Sequence, residues 1–281
     1  MQNGFSGWYF KCQSDKQTLA AIPAIHKNKN EESCSIQLIT ESGSWNAVFP
    51  ASAYSKSRFL IDIDGNKFGR QGIDLNIHTP ELTATGTVAF DGITPISYDI
   101  MGPFSLVPFM ECRHSVVSMR HRVTGEIEIN GTPYVFDNAA GYWEGDRGRS
   151  FPKEYAWTQC ILPNGSLMLS VADIPVGRRS FTGVICVILI DGKEYRLATY
   201  LGAKPVRMQG GEIVVRQGDM LFRAKKLEST SQLLRAPQAG TMARIIRENA
   251  SCRAYYELRY NGHTILALEA PNASFEYEYP N

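Results

Sequence analysis

Residues 184–200, VICVILIDGKEYRLATY, decide the fold. Val184 to Ile190 is an apolar run of strand length, rich in β-branched residues. Asp191-Gly192 interrupts it, and Lys193 to Tyr200 then mixes polar and apolar positions. An Asp-Gly pair between two such runs predicts a β-hairpin, because a type I′ turn needs positive φ at two successive residues and Asp-Gly supplies it at little steric cost. The device recurs. Asp64-Gly65 divides FLIDIDGNKFGRQGIDLNIHT, Asn130-Gly131 divides EIEINGTPYVFDN, and Asn261-Gly262 divides AYYELRYNGHTILALEA. Strands of this length at this spacing predict an all-β barrel or sandwich.

Helix signals are few. TMARIIREN, Thr241 to Asn249, is the best candidate, and STSQLLRAP ends in a proline that forbids a long helix. An internal echo suggests two similar β-barrel-like halves. Trp8 precedes the Arg70-Gln71-Gly72 tripeptide by 62 positions, and Trp157 precedes Arg216-Gln217-Gly218 by 59. The join falls near Asn138 to Gly141, which predicts halves at residues 1–140 and 141–281.

The 281 residues carry 29 basic and 28 acidic side chains, a net charge of +1. This balance argues against electrostatic binding to nucleic acid or anionic membranes. No segment is long and apolar enough to be read as a stable membrane insertion. The N-terminus lacks the basic start and apolar run of a signal peptide, so the expectation is a cytoplasmic protein, at most peripheral to a membrane. Six cysteines without CxxC spacing read as reduced, buried thiols, and the dispersed His26, His78, His121 and His263 form no metal pattern. No phosphate-binding glycine loop or nucleophile elbow is present, so no cofactor is expected. Nothing in the sequence fixes an oligomeric state.

Residues 141–160, GYWEGDRGRSFPKEYAWTQC, concentrate the chemistry. On a strand, Tyr142, Glu144 and Asp146 share one face and Trp143 takes the other. Two carboxyl groups on one face can raise one another's pKa. Alternatively, Arg147 or Arg149 can pair with them and hold both ionised. His114, in MECRHSV, can orient an acid or accept a proton, or serve as a structural histidine. Trp8, Tyr9, Phe10 and Trp157 read first as packing residues that close a barrel. Tyr142, Trp143 and Trp157 are the candidates to line a ligand cavity, with Arg147 either bracing the halves or binding a polar head group.

Four segments together resemble the tocopherol cyclase family: GWYFK at 7–11, YDIMGPFSLVPFMECRHSVVSM at 98–119, residues 141–160, and APQAGTMARIIRE at 236–248. The family is more distantly similar to bacterial carotenoid hydratases. Where plant members read glutamate, a variable residue, asparagine, tryptophan, glycine, this chain reads Glu144, Gly145, Asp146, Arg147, Gly148. The resemblance implies an all-β protein of two lipocalin-like β-barrel halves packed together. It further implies protonation of an isoprenoid or prenylated quinol, followed by cyclisation or hydration. Such chemistry needs a neutral acid beside an apolar chain, aromatic faces for the cation and exclusion of water. The expected catalytic residues are Glu144, Asp146 and His114, and the expected ligand-binding residues are Tyr142, Trp143, Arg147 and Trp157. The alternative is a non-catalytic, lipocalin-like carrier of a hydrophobic small molecule.

Overall fold

The computed structural model describes residues 3–29, 31–107, 110–176, 179–228, 232–238 and 240–280. The chain forms two compact units. The first comprises Met1–Pro95, His114–Ser150 and Arg235–Arg244, and the second Ile96–Arg113, Phe151–Leu234 and Ile245–Asn281. Residues 141–150 thus count with the first unit and 96–113 with the second.

The sheet of the first unit contains β1 (Gly4–Gln13), β2 (Thr18–Lys27), β3 (Glu32–Thr40), β4 (Ser44–Pro50), β5 (Tyr54–Lys56), β6 (Leu60–Ile63), β7 (Asn66–Gly69), β8 (Gly72–His78), β9 (Thr83–Thr94), β10 (Cys112–Ile129) and β11 (Thr132–Gly148). Its order is β4-β3-β2-β1-β11-β10-β9-β8-β7-β6-β5. The sheet curls until β3 lies against β6, making a nearly closed barrel. The sheet of the second unit contains β12 (Tyr155–Leu162), β13 (Gly165–Val176), β14 (Arg179–Ile190), β15 (Lys193–Ala198), β16 (Lys204–Gln209), β17 (Glu212–Gln217), β18 (Met220–Lys226), β19 (Gln232–Gln238), β20 (Thr241–Tyr260) and β21 (His263–Tyr277). Its order is β15-β14-β13-β12-β21-β20-β18-β17-β16, with β19 paired to β20. Here β14 meets β16 and β15 meets β17. Each sheet therefore repeats one device: its opening strand pairs with its last, β1 with β11 and β12 with β21.

The four turns expected from Asp-Gly and Asn-Gly form. Asp64, Asn130, Asp191 and Asn261 have φ of 54°, 50°, 49° and 50°, each followed by a glycine at positive φ. The helix expected at Thr241 to Asn249 does not form, for these residues open β20. Ile245 and Arg247 are exposed while Ile246 and Glu248 are buried, a period of two that the short apolar run concealed. STSQLLRAP contributes to β19, and its Ser229 to Ser231 lie outside the described residues.

One irregularity positions the site. Tyr134 and Phe136 of β11 point into the core of the first barrel, and so does Trp143. An unbroken strand cannot send both even and odd positions inward. Asn138, at φ 51°, is the break: a residue in the left-handed region inserts an extra step and flips every side chain after it. Trp143 consequently stacks on Phe10 with ring centroids 4.9 Å apart and meets Trp8 edge-on at 5.0 Å. Tyr142, Glu144 and Asp146 face away from that core.

Candidate functional site

The β10–β11 pair brings His114 to Glu144 and Asp146. On β10, Val117, Val123, Ile127 and Ile129 turn toward the core. His114 takes the opposite parity and so shares a face with the two carboxylates. Its Nδ1 lies 3.0 Å from Asp146 Oδ1, a hydrogen bond. Its Nε2 lies 3.1 Å from Glu144 Oε2, a close charge contact without hydrogen-bond alignment. The Tyr142 hydroxyl donates to the same Glu144 oxygen at 2.5 Å. The Ser115 hydroxyl donates to the Gly145 carbonyl at 2.9 Å and ties the two strands together beside the group. Tyr142 and Glu144 are buried, His114 is mostly covered, and Asp146 is partly open.

Burial by itself lowers the pKa of His114. The Glu144 and Asp146 carboxylates outweigh that cost and hold it well above the usual histidine value, so the ring is an imidazolium near neutral pH. Burial, and then the Glu144 carboxylate, push the Tyr142 phenol well above its usual value, so it stays a hydroxyl. His114 is thus a cation shared by the two carboxylates. Among the described residues neither Arg147 nor Arg149 forms an ion pair with them.

His114, Glu144 and Asp146 also offer one donor atom each within 4.8 Å of one another, the raw material of a cation site. The ring, however, stands between the two carboxylates with one nitrogen toward each. That is the geometry of a bridged imidazolium; a metal needs all three donors converging on one point.

Gly145 explains the spacing of the motif. It faces the core between the two outward carboxylates, and a Cβ there would stand 2.5 Å from Trp8 Cδ1. The motif therefore alternates acid, glycine, acid because one side of the strand carries chemistry and the other must admit an indole.

The structure thus brings four of the expected residues together: Tyr142, Glu144, Asp146 and His114. Trp143 lies in the barrel core, with Trp8 and Phe10. Arg147 is exposed on the Trp143 side of β11. Trp157 is on β12 in the second unit, buried on the side opposite Ala156 and Cys160, which belong to that unit's core. It does not match Trp8 as a core residue. Two residues of the site face are not expected there from the sequence, which reads Tyr9 as a packing residue and gives Lys11 no role. Tyr9 stands across from Glu144, and the fully buried Lys11 stands across from Tyr142. A lysine ending the aromatic run of GWYFK was the available signal.

Comparison with known proteins follows the same residues. The sequence profile described as tocopherol cyclase-like matches residues 96–209, a span holding His114, Tyr142, Glu144 and Asp146. A rice (Oryza sativa subsp. japonica) protein described as "Probable tocopherol cyclase, chloroplastic" is 25% identical over 143 residues, which cover 48% of this chain and 30% of the rice protein. The match therefore spans less than a third of that relative. Among solved structures, CghA in complex with Sch210972 superposes with a TM-score of 0.62 at 8% identity, covering 98% of this chain and 88% of CghA. Kievitone hydratase from Nectria haematococca superposes with a TM-score of 0.56 at 9% identity, covering 98% and 89%. At such identities these likenesses establish the fold alone. The resemblance to the tocopherol cyclase family read from the sequence is borne out over residues 96–209, on an all-β fold shared with CghA and kievitone hydratase.

Proposed function

We propose that the protein is an enzyme of tocopherol cyclase-like type that protonates an alkene of an isoprenoid or prenylated quinol and so starts its cyclisation or hydration. The observation that carries this reading is the half-buried row Asp146–His114–Glu144–Tyr142 within the family-matched segment. Asp146 orients the imidazole through Nδ1, as a carboxylate does in other acid–base relays. The transferable proton sits on His114 Nε2, 3.1 Å from Glu144 Oε2, and a small turn of the ring or the carboxyl group aligns the two. In water the charged pair, imidazolium and carboxylate, is favoured. When an apolar chain displaces water, the ion pair loses solvation and the neutral tautomer gains, which moves the proton onto Glu144. Glu144 then gives that proton to the alkene, and a tertiary cation forms. The substrate's own phenol oxygen or a water closes on the cation and returns a proton to Glu144 or His114, so the site is regenerated. Tyr142 holds the Glu144 carboxylate in place as the charge moves.

Purified protein incubated with a prenylated hydroquinone in deuterium oxide tests this reading. Deuterium should appear on the less substituted carbon of the former alkene, next to the carbon that takes the oxygen, in a cyclised or hydrated product. Glu144→Gln should abolish its incorporation, and Asp146→Asn should slow it by about 10²-fold or more. Undiminished turnover in Glu144→Gln refutes the mechanism.

One observation favours the carrier reading. His114 meets both carboxylates at once, an arrangement that serves equally as a structural tie between β10 and β11. A carrier would return the quinol unchanged and without deuterium from the wild-type protein.

A further inference from the structure

The acid group uses one face of the β1–β11 pair, and the other face carries a separate feature. Arg147 stands directly across from Ser6, on the side of β11 that also bears Trp143. Lys56, the last residue of β5, reaches the same place from the far end of the sheet. Its ammonium donates to Ser6 Oγ at 3.1 Å and lies 4.8 Å from the centroid of the Trp8 ring. Arg147 and Lys56 are both exposed, and among the described residues neither forms an ion pair with a carboxylate. Two cations are therefore held beside one hydroxyl with no counter-charge. The fold tolerates the repulsion: burial, and then the Arg147 charge, lower the pKa of Lys56. Two more cations flank the β5–β6 turn, with Arg58 4.9 Å and Arg70 5.8 Å from the ring of Phe59.

We propose that Lys56, Ser6 and Arg147 form a binding site for a phosphate-type dianion at the rim of the first barrel. The chemistry is complementary. A lysine supplies a point charge, the arginine a planar fork for two oxygens, and the serine a neutral donor between them. Two unneutralised charges call for a ligand with two of its own. The indole beneath Lys56 fixes the ammonium through a cation–π contact and spares the ligand part of the cost of ordering it. The inference does not rest on the reaction proposed for the opposite face, because Arg147 and Glu144 point to different sides of β11.

Isothermal titration calorimetry of the full chain with inorganic pyrophosphate, inorganic phosphate and acetate tests it. Pyrophosphate and phosphate should bind and acetate should not, with affinity falling as salt is added. Arg147→Gln and Lys56→Gln should each weaken pyrophosphate binding roughly tenfold or more, the double variant further, and Lys56→Arg should retain it. Arg122→Gln, which removes a surface arginine paired with Asp91, should leave binding unchanged. Lys56 and Arg147 are exposed, so unchanged melting temperatures should accompany the losses. The proposal is overturned if the wild-type protein binds no pyrophosphate, if acetate binds equally well, or if Arg122→Gln weakens binding as much as Arg147→Gln.

Discussion

Replacing Gly145 by alanine tests whether the two-faced reading of β11 is right. The new Cβ would stand 2.5 Å from Trp8 Cδ1, 3.2 Å from Trp8 Nε1 and 3.1 Å from the Gly7 carbonyl oxygen. Carbon atoms pack at about 3.5–4.0 Å, so the indole must withdraw by roughly 1 Å. It has little room. Trp143 meets it edge-on at 5.0 Å, Phe10 lies 6.0 Å away, and the Lys56 ammonium is 4.8 Å from its centroid. Overpacking of a dense core costs about 1–3 kcal/mol, and disturbing the Trp8–Trp143 pair forfeits up to roughly 1 kcal/mol more. At about 2–4 °C per kcal/mol for a domain of 150–250 residues, the melting temperature should drop by roughly 2–16 °C. Differential scanning calorimetry reads the drop, and the near-ultraviolet circular dichroism of the tryptophans should change with it. A Trp8→Phe, Gly145→Ala double variant should recover part of the loss, since the smaller ring vacates the contact. A Gly145→Ala protein that melts within 1 °C of wild type, a loss well under about 1 kcal/mol, with an unchanged tryptophan spectrum, would refute the assignment of Gly145 to the core side.

Two further outcomes follow from buried groups. Burial lowers the pKa of His26 and of His121 to about 4, so each stays neutral in the folded protein while the unfolded chain takes up a proton near pH 6.5. Their stabilisation is present above pH 6.5 and is lost as pH falls toward 4, by about 3 kcal/mol for each residue. His114 acts in the opposite sense: its raised pKa contributes stability fully present below pH 6.5 and lost as pH rises through the folded value. Denaturant unfolding between pH 7 and 5 should show falling stability, less steeply in His26→Gln, and a flat wild-type profile would contradict this. Arg196→Lys should loosen residues 98–100, because Arg196 donates to the Tyr98 and Asp99 carbonyls at 3.0 Å each and stacks over the Tyr98 ring. Lysine cannot reproduce that fork, so limited proteolysis in this segment should accelerate by roughly tenfold or more, and an unchanged rate would argue against the clamp.

The sequence by itself determined what is local. Asp and Asn before glycine fixed four hairpins, because positive φ at two successive residues is a property of those residues alone. Alternation along 142–146 put Tyr142, Glu144 and Asp146 on one face, since the pleat has a period of two whatever surrounds it. The family resemblance in 98–119 and 141–160 marked the segments that the site uses. Tertiary structure alone decided the rest. Ile245-Ile246 sits in a strand because it belongs to β20, which is paired within its sheet, β19 among its neighbours, and no short apolar run announces that pairing. Asn138 decides which face of β11 meets the core, through one residue of slip that acts on everything after it. His114 finds Glu144 and Asp146, and Lys56 finds Arg147, across sequence gaps that only strand order and register can close. A charge's partner sets its chemistry, and in a sheet that partner is chosen by register, which is a property of the assembled barrel.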